Sequence, residues 1–222
     1  MKLNLFKAYE KYQKEIESLG FDNDIYSHPY YISIPDNWES AQARIMVVGE
    51  EGHGEKRING SIEQIQKSLA EQFDYLINNS HSNFWKRFRA LTNLGCCAWN
   101  NLDKVHRLSH YSCRLSNKER KLLHSTNTKI LAKEIEILKP DIVIFFGWYG
   151  ASIEMELPDV FKRLYPKGIS NNVAWFDSKH FTVELDGTVY IFTYHPAWRR
   201  KPKDYENTIL EIVKKHIKNL TD

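Results

Sequence analysis

Long apolar runs are missing from this sequence of 222 residues. The longest, Ile142 to Gly150, falls far short of the ~20 residues that a membrane-spanning helix needs. Residues 1–20 alternate charged and apolar positions and form no signal-peptide core, so the chain reads as cytoplasmic with no membrane partner. Cysteine is scarce: three residues, two of them adjacent as Cys96 and Cys97, exclude a paired disulfide framework and suit a reducing compartment. With His106, His110 and Cys113 they invite a zinc reading, but adjacent cysteines do not easily supply two tetrahedral ligands, and no metal is expected. A strong excess of one charge is absent too, since 31 Lys and Arg against 28 Asp and Glu leave +3, which by itself predicts no nucleic-acid binding. No repeat and no Pro/Gly/Ser linker divides the chain, which reads as one domain over residues 1–222.

What is present is an alternation of helix-like and strand-like segments. Leu5, Tyr9, Tyr12, Ile16 and Leu19 recur at helical spacing before Gly20. Residues 21–43, rich in Tyr, Pro, Ser and Asp, read as a surface connection, so residues 1–43 form an N-terminal helix and loop extension. Arg44 to Val48 is a short buried strand ending on Gly49. Ile62 to Leu76 and Phe84 to Leu91 carry two helical stripes, and Gly95 to Trp99 reads as a second strand. Ile130, Leu131, Ile135 and Leu138 share a helical face, followed by Lys139-Pro140 and the apolar strand Asp141 to Gly147. Phe181 to Leu185 and Thr188 to Tyr194 flank Asp186-Gly187, a two-residue hairpin signal. A C-terminal helix over 204–219 closes the chain.

Continuously apolar strands such as 45–48 and 142–146 need cover on both faces, which predicts an α/β fold: a three-layer αβα sandwich on a central, mainly parallel four-stranded sheet. Ligands of such sheets bind at the carboxyl ends of the strands, here just after residues 48, 99, 146 and 194. The first end reads Gly49-Glu50-Glu51-Gly52-His53-Gly54, where glycines let a ligand approach the backbone. It lacks the phosphate-loop lysine pattern, which excludes a nucleotide triphosphatase of that kind. The second end offers Asn100 and Asn101, amides that present donor and acceptor to one edge of a base, or that merely cap a turn. The third offers Trp148 as a stacking wall or as core. The fourth offers His195, then Trp198, Arg199, Arg200 and Lys201, an aromatic beside positive charges suited to phosphates, or a solvated basic loop. Phe84 to Arg89 and Lys104 to Lys121 add basic stretches that either line a nucleic-acid groove or are solvated faces opposite a buried stripe.

The order of these motifs, GEEGHG, Asn101, the helix-to-strand unit Leu131 to Gly147, and YHPAWRR, resembles the uracil-DNA glycosylase superfamily over roughly residues 44–200. The resemblance implies a four-stranded parallel sheet and metal-free removal of a deaminated base from single- or double-stranded DNA by a monomer, with no cofactor. Carried over by position, Glu50 assists water attack, with Glu51 the rival carboxylate. Asn101, or its neighbour Asn100, reads the flipped base, and His195 stabilises the departing base anion. Trp198 stands where the family wedges the duplex, with Arg199, Arg200 and Lys201 holding DNA, while Gly49, Gly52, His53 and Trp148 line the base pocket. Gly52 departs from the family's usual proline, and three misplaced cysteines do not match the branch with a four-cysteine iron–sulfur cluster. Two alternatives stand beside this reading: a catalytically silent nucleotide- or nucleic-acid-binding protein on the same fold, and a small-molecule hydrolase using Glu51 and His53.

Overall fold

Ile45, Met46, Val47 and Val48 are all fully buried in strand β1 (Arg44–Glu51), so neither face of this strand meets water. The computed structural model, which describes residues 1–21, 25–51, 60–108, 115–147, 159–165, 173–175, 181–196 and 204–221, shows what covers it. β1 pairs in parallel with β2 (Cys96–Asp103) on one side and β3 (Ile142–Phe146) on the other. β3 pairs in parallel with β6 (Thr188–Thr193), and β5 (Phe181–Leu185) and β4 (Val173–Trp175) continue antiparallel. The sheet order is β2-β1-β3-β6-β5-β4. Four strands are parallel as expected; among the described residues the sheet has six, because the hairpin arm β5 and the short β4 extend the edge beyond β6.

Successive residues of a strand point to opposite faces, and the side chains of β2 show which helices lie where. Trp99 meets Trp85 of α3 (Asn83–Thr92) at 4.9 Å and Phe73 of α2 (Ile62–Asn79) at 6.3 Å. Asn100 turns the other way, to Glu134 of α4 (Asn117–Leu138). α1 (Lys2–Ser18) packs on α4, with Tyr9 and Tyr12 buried between them. Phe161, in the helical residues 159–164 (α5), packs on Tyr190 and Phe192 of β6. α6 (Tyr205–Thr221) joins α3 through the Arg87–Glu206 ion pair. Helices therefore cover both faces.

Local chemistry explains most boundaries. Ser61 and Ser116 open α2 and α4 with reciprocal capping boxes to Gln64 and Glu119. α4 ends where Lys139 turns left-handed before Pro140. Asp186 and Gly187 take φ of 49° and 79°, as the tight turn of the β5–β6 hairpin requires.

Residues 21–43 differ from expectation. Tyr30, Tyr31, Ile32 and Trp38 are buried, so the segment is no surface connection. Its polar backbone is satisfied against β2: Ser33 and Trp99 exchange hydrogen bonds of 3.0 and 3.1 Å, and the Tyr30 and Ser27 N–H groups donate to the Lys104 and His106 carbonyls. The aromatics bury apolar area while the backbone seals the open edge of the sheet. β2 itself runs four residues beyond the expected Trp99, and the side chains of two of them, Asn100 and Asp103, find polar partners on α4. β1 likewise extends through Glu51 instead of turning at Gly49.

Candidate functional site at the strand ends

The four parallel strands end on one side of the sheet, and the connections from β1 lead away in opposite directions, to β2 over the α3 face and from β2 back to β3 over the α4 face. By the rule for open α/β sheets, such a reversal puts the candidate ligand crevice between the carboxyl ends of β1 and β3. Gly49 and Gly147 stand at its two sides, Gly147 with φ of 103°, a conformation that favours glycine.

Gly49 is the register partner of Asn101. A Cβ on Gly49 would lie 2.8 Å from Asn101 Oδ1 and 3.7 Å from Cε2 of Phe84, so the missing side chain is what lets an amide and an aromatic ring meet over the end of β1. Asn101 is only 2% exposed, and its Nδ2 has no hydrogen-bond partner among the described residues. An unmet buried donor costs about 1–3 kcal/mol, which a bound acceptor recovers. Phe84 is half-buried, with its ring 5.8 Å from Phe146 at the end of β3. On the far side of the crevice, the Gly147 N–H donates to the carbonyl of buried Thr193, and the half-buried His195 follows two residues later.

Asn100 belongs elsewhere. Its amide Nδ2 donates to Glu134 Oε2 at 2.9 Å on the α4 face, and its Oδ1 accepts from Lys104 Nζ and from the backbone N–H of Asn101 at 2.8 Å. Lys104 Nζ also donates to both Glu134 oxygens, at 2.9 and 2.7 Å, and the Tyr9 hydroxyl donates to Oε1 at 2.9 Å. Tyr9, Asn100, Lys104 and Glu134 are each at most 1% exposed. Burial and the adjacent Glu134 carboxylate push the Tyr9 phenol well above its ordinary range, so it remains a donor. Asn100 thus drops out as the residue facing the crevice.

Three of the cations between Lys104 and Lys121 are engaged within the protein, while Lys118 and Lys121 are exposed. Lys104 is spent on Glu134, Arg120 pairs with Asp103 at 3.3 Å, and Arg107 pairs with Glu119 at 2.7 Å. In the Phe84 to Arg89 stretch, Trp85 and Phe88 are buried, Arg87 pairs with Glu206, and Arg89 donates to the Ile77 and Ser80 carbonyls. Sequence periodicity missed Glu134 because it lies within the apolar stripe of α4, one turn from Ile130 and from Leu138. That interruption was the available signal.

Glu50 and Glu51 are placed only as backbone at the end of β1, and Gly52, His53, Trp148, Trp198, Arg199, Arg200 and Lys201 lie outside the described residues. Among the described residues no three or more His, Cys, Asp or Glu side chains come together as a metal site, Cys96, Cys97 and His106 included. No described helix is long and apolar enough to cross a membrane. The class defined at this point is an α/β protein with helices on both faces of a mainly parallel sheet and a candidate ligand crevice at its carboxyl edge. No family model and no curated protein matches the sequence.

Proposed function

We propose that the protein is a DNA glycosylase-like enzyme of the uracil-DNA glycosylase type, which binds a flipped uracil or other deaminated base in the crevice and hydrolyses its N-glycosidic bond. The observation that carries this reading is Asn101: a buried amide whose donor is unmet among the described residues, beside a glycine and an aromatic ring, near the end of β2 and one strand from the switch point between β1 and β3. A uracil edge presents the complementary acceptor and donor, and its flat face suits the Phe84 ring. Asn101 lies near the end of β2 and His195 follows β6, strands three positions apart in the sheet, about 14 Å at ~4.8 Å per strand.

In this reading Asn101 selects the base and holds its edge, and Phe84 stacks on it. As the glycosidic bond lengthens, negative charge gathers on the departing base, where the His195 imidazole donates a stabilising hydrogen bond. Glu50, with Glu51 as the rival, orients the water that adds to the sugar carbon and takes its proton. Trp198, Arg199, Arg200 and Lys201 hold the flanking DNA.

The test is incubation with end-labelled single- and double-stranded oligonucleotides carrying uracil, hypoxanthine or xanthine, followed by alkaline cleavage at abasic sites. Cleavage by the wild type that is lost in Asn101→Ala and His195→Asn, with thermal melting unchanged, is the expected result. Intact strands that are nonetheless bound would replace the enzyme with a binding protein on the same fold, and no binding at low salt would remove both.

A further inference from the structure

We propose that Lys104, Glu134 and Asn100 are positioning residues: the buried ion cluster on the α4 face fixes the end of β2 so that the neighbouring Asn101 presents its amide on the opposite, crevice face. The proposal rests on the reading of Asn101 as the ligand-facing residue.

A fully buried Lys–Glu pair is a costly way to fill a helix–sheet interface, since two desolvated charges rarely outperform apolar side chains of the same volume. Its neighbours on this interface are apolar, Ile130, Leu131, Ile135 and Leu138 on α4 and Met46 and Val48 on β1, while the other buried polar contact, Asp103 with Arg120 and Asn127, lies nearer the start of α4. Packing alone gives no reason for the exception, and the hydrogen-bond pattern does. Along the outer edge of β2, the covering segment exchanges backbone hydrogen bonds with Trp99 through Ser33 and resumes at Lys104 through Tyr30. Asn101 falls in the gap between them, and its N–H is taken by the Asn100 side chain instead.

That substitute works only if the Asn100 amide is held one way round. Its oxygen receives two donors, from Lys104 and from the Asn101 backbone, while its nitrogen meets the Glu134 carboxylate. A flipped amide would set its NH₂ against an ammonium and a backbone N–H, and its oxygen against a carboxylate, so the charges on both sides enforce the orientation. Glu134 is in turn held by Tyr9, whose hydroxyl accepts from the Ile32 N–H at 3.3 Å. The chain of contacts runs from α1 and α4 through Asn100 to the Asn101 backbone. None of these groups reaches the crevice, so each acts through Asn101.

The test uses the full chain with Lys104→Met/Glu134→Leu, which replaces the ion pair with apolar side chains of similar size, and Asn100→Ala, which leaves the pair in place if the double variant fails to fold. Three quantities are read: melting temperature, affinity for a short single-stranded oligonucleotide carrying one uracil, and NMR hydrogen exchange with side-chain amide shifts at Asn101. The expected result is a folded variant with a lowered melting temperature, because Tyr9 and Asn100 lose their Glu134 acceptor, faster exchange and shifted amide resonances at Asn101 but not at Ile45 or Val143, and affinity reduced by about a hundredfold, the scale of loss from misplacing a binding group. Where activity is measurable, kcat falls more than KM rises. Wild-type affinity with unchanged Asn101 resonances in a folded variant overturns the proposal. If the wild type binds no uracil probe, the glycosylase reading fails, and the Asn101 resonances still decide: displaced in the folded variants, they support positioning, and unmoved, they overturn it.

Discussion

Asn100 and Asn101, consecutive residues of β2, carry identical side chains in opposite environments: the first is locked between Lys104 and Glu134, and the second lies beside Gly49 with its amide donor unmet among the described residues. The pleat of one strand separates them. One amide is structural, and the other is the candidate for binding.

The contrast makes Gly49 a sensitive position. A Cβ there would sit 2.8 Å from Asn101 Oδ1, closer than such atoms approach, so Gly49→Ala pushes the amide away from the crevice. The neighbour that must give is a side-chain end, so the stability loss is held to about 1–2 kcal/mol. Binding of uracil-containing DNA should fall by about a hundredfold. Melting and fluorescence-anisotropy titrations check the two effects separately, and unchanged affinity would remove Gly49 and Asn101 from the site.

Asp141 ties the entry of β3 to that of β1. Its Oδ2 accepts from the Arg44 backbone N–H at 2.8 Å and from Nε at 3.1 Å, and its Oδ1 accepts from Nη2 at 2.8 Å. The pair is partly buried, and charge-assisted bonds of this two-pronged geometry are the stronger kind. Asp141→Ala leaves a backbone donor and a guanidinium without their acceptor and should cost about 2–3 kcal/mol by urea denaturation. Asp141→Asn keeps acceptor geometry for the backbone and should lose less. Equal losses would show that the charge carries the interaction and the retained acceptor contributes nothing.

Glu119 gives the protein an acid-sensitive joint between the covering segment and α4. Burial raises its carboxyl, but hydrogen bonds from Arg107, Ser116 and Tyr26 outweigh this and hold it at about 2, below the ordinary 4.5. The unfolded chain therefore binds the proton first, so this contribution is complete above about pH 4.5 and lost as pH falls toward 2. Urea midpoints between pH 7 and 2 should decline across that window. Glu119→Gln, which takes up no proton, should lower stability at pH 7 and flatten the decline; an unaltered slope would assign the acid loss to other carboxylates.

The parts of the fold legible in the sequence are those fixed by local chemistry. Ile45 to Val48 of β1 and all of β3 are apolar, Asp186-Gly187 dictates its turn, and Lys139-Pro140 marks the end of α4. The second half of β2 was not legible, because Asn100 and Asp103 are buried on partners more than twenty residues away in α4, Glu134 and Asn127, and only the tertiary contact makes a strand of them. Tyr30, Tyr31 and Trp38 read as loop because their segment borrows hydrogen bonds from the edge of β2 rather than forming a regular element. At the site, a strand-end amide was visible, but choosing Asn101 over Asn100 required the pleat and the register with Gly49.

The left-handed end of α4 offers a gain in stability rather than a loss. Lys139 takes φ of 45° and ψ of 58° while its N–H caps the Ile135 carbonyl at 2.9 Å. A non-glycine residue there carries about 1–2 kcal/mol of steric cost, and the side chain itself is exposed. Glycine removes that cost but adds freedom to the unfolded chain, so Lys139→Gly should stabilise by a net ~0.5–1 kcal/mol. For a chain of this size the melting temperature should rise by about 2 °C. Lys139→Val, β-branched at the same left-handed position, should move it the other way. A fall in melting temperature for the glycine variant would mean that the Lys139 side chain contributes more to this helix end than its backbone conformation costs.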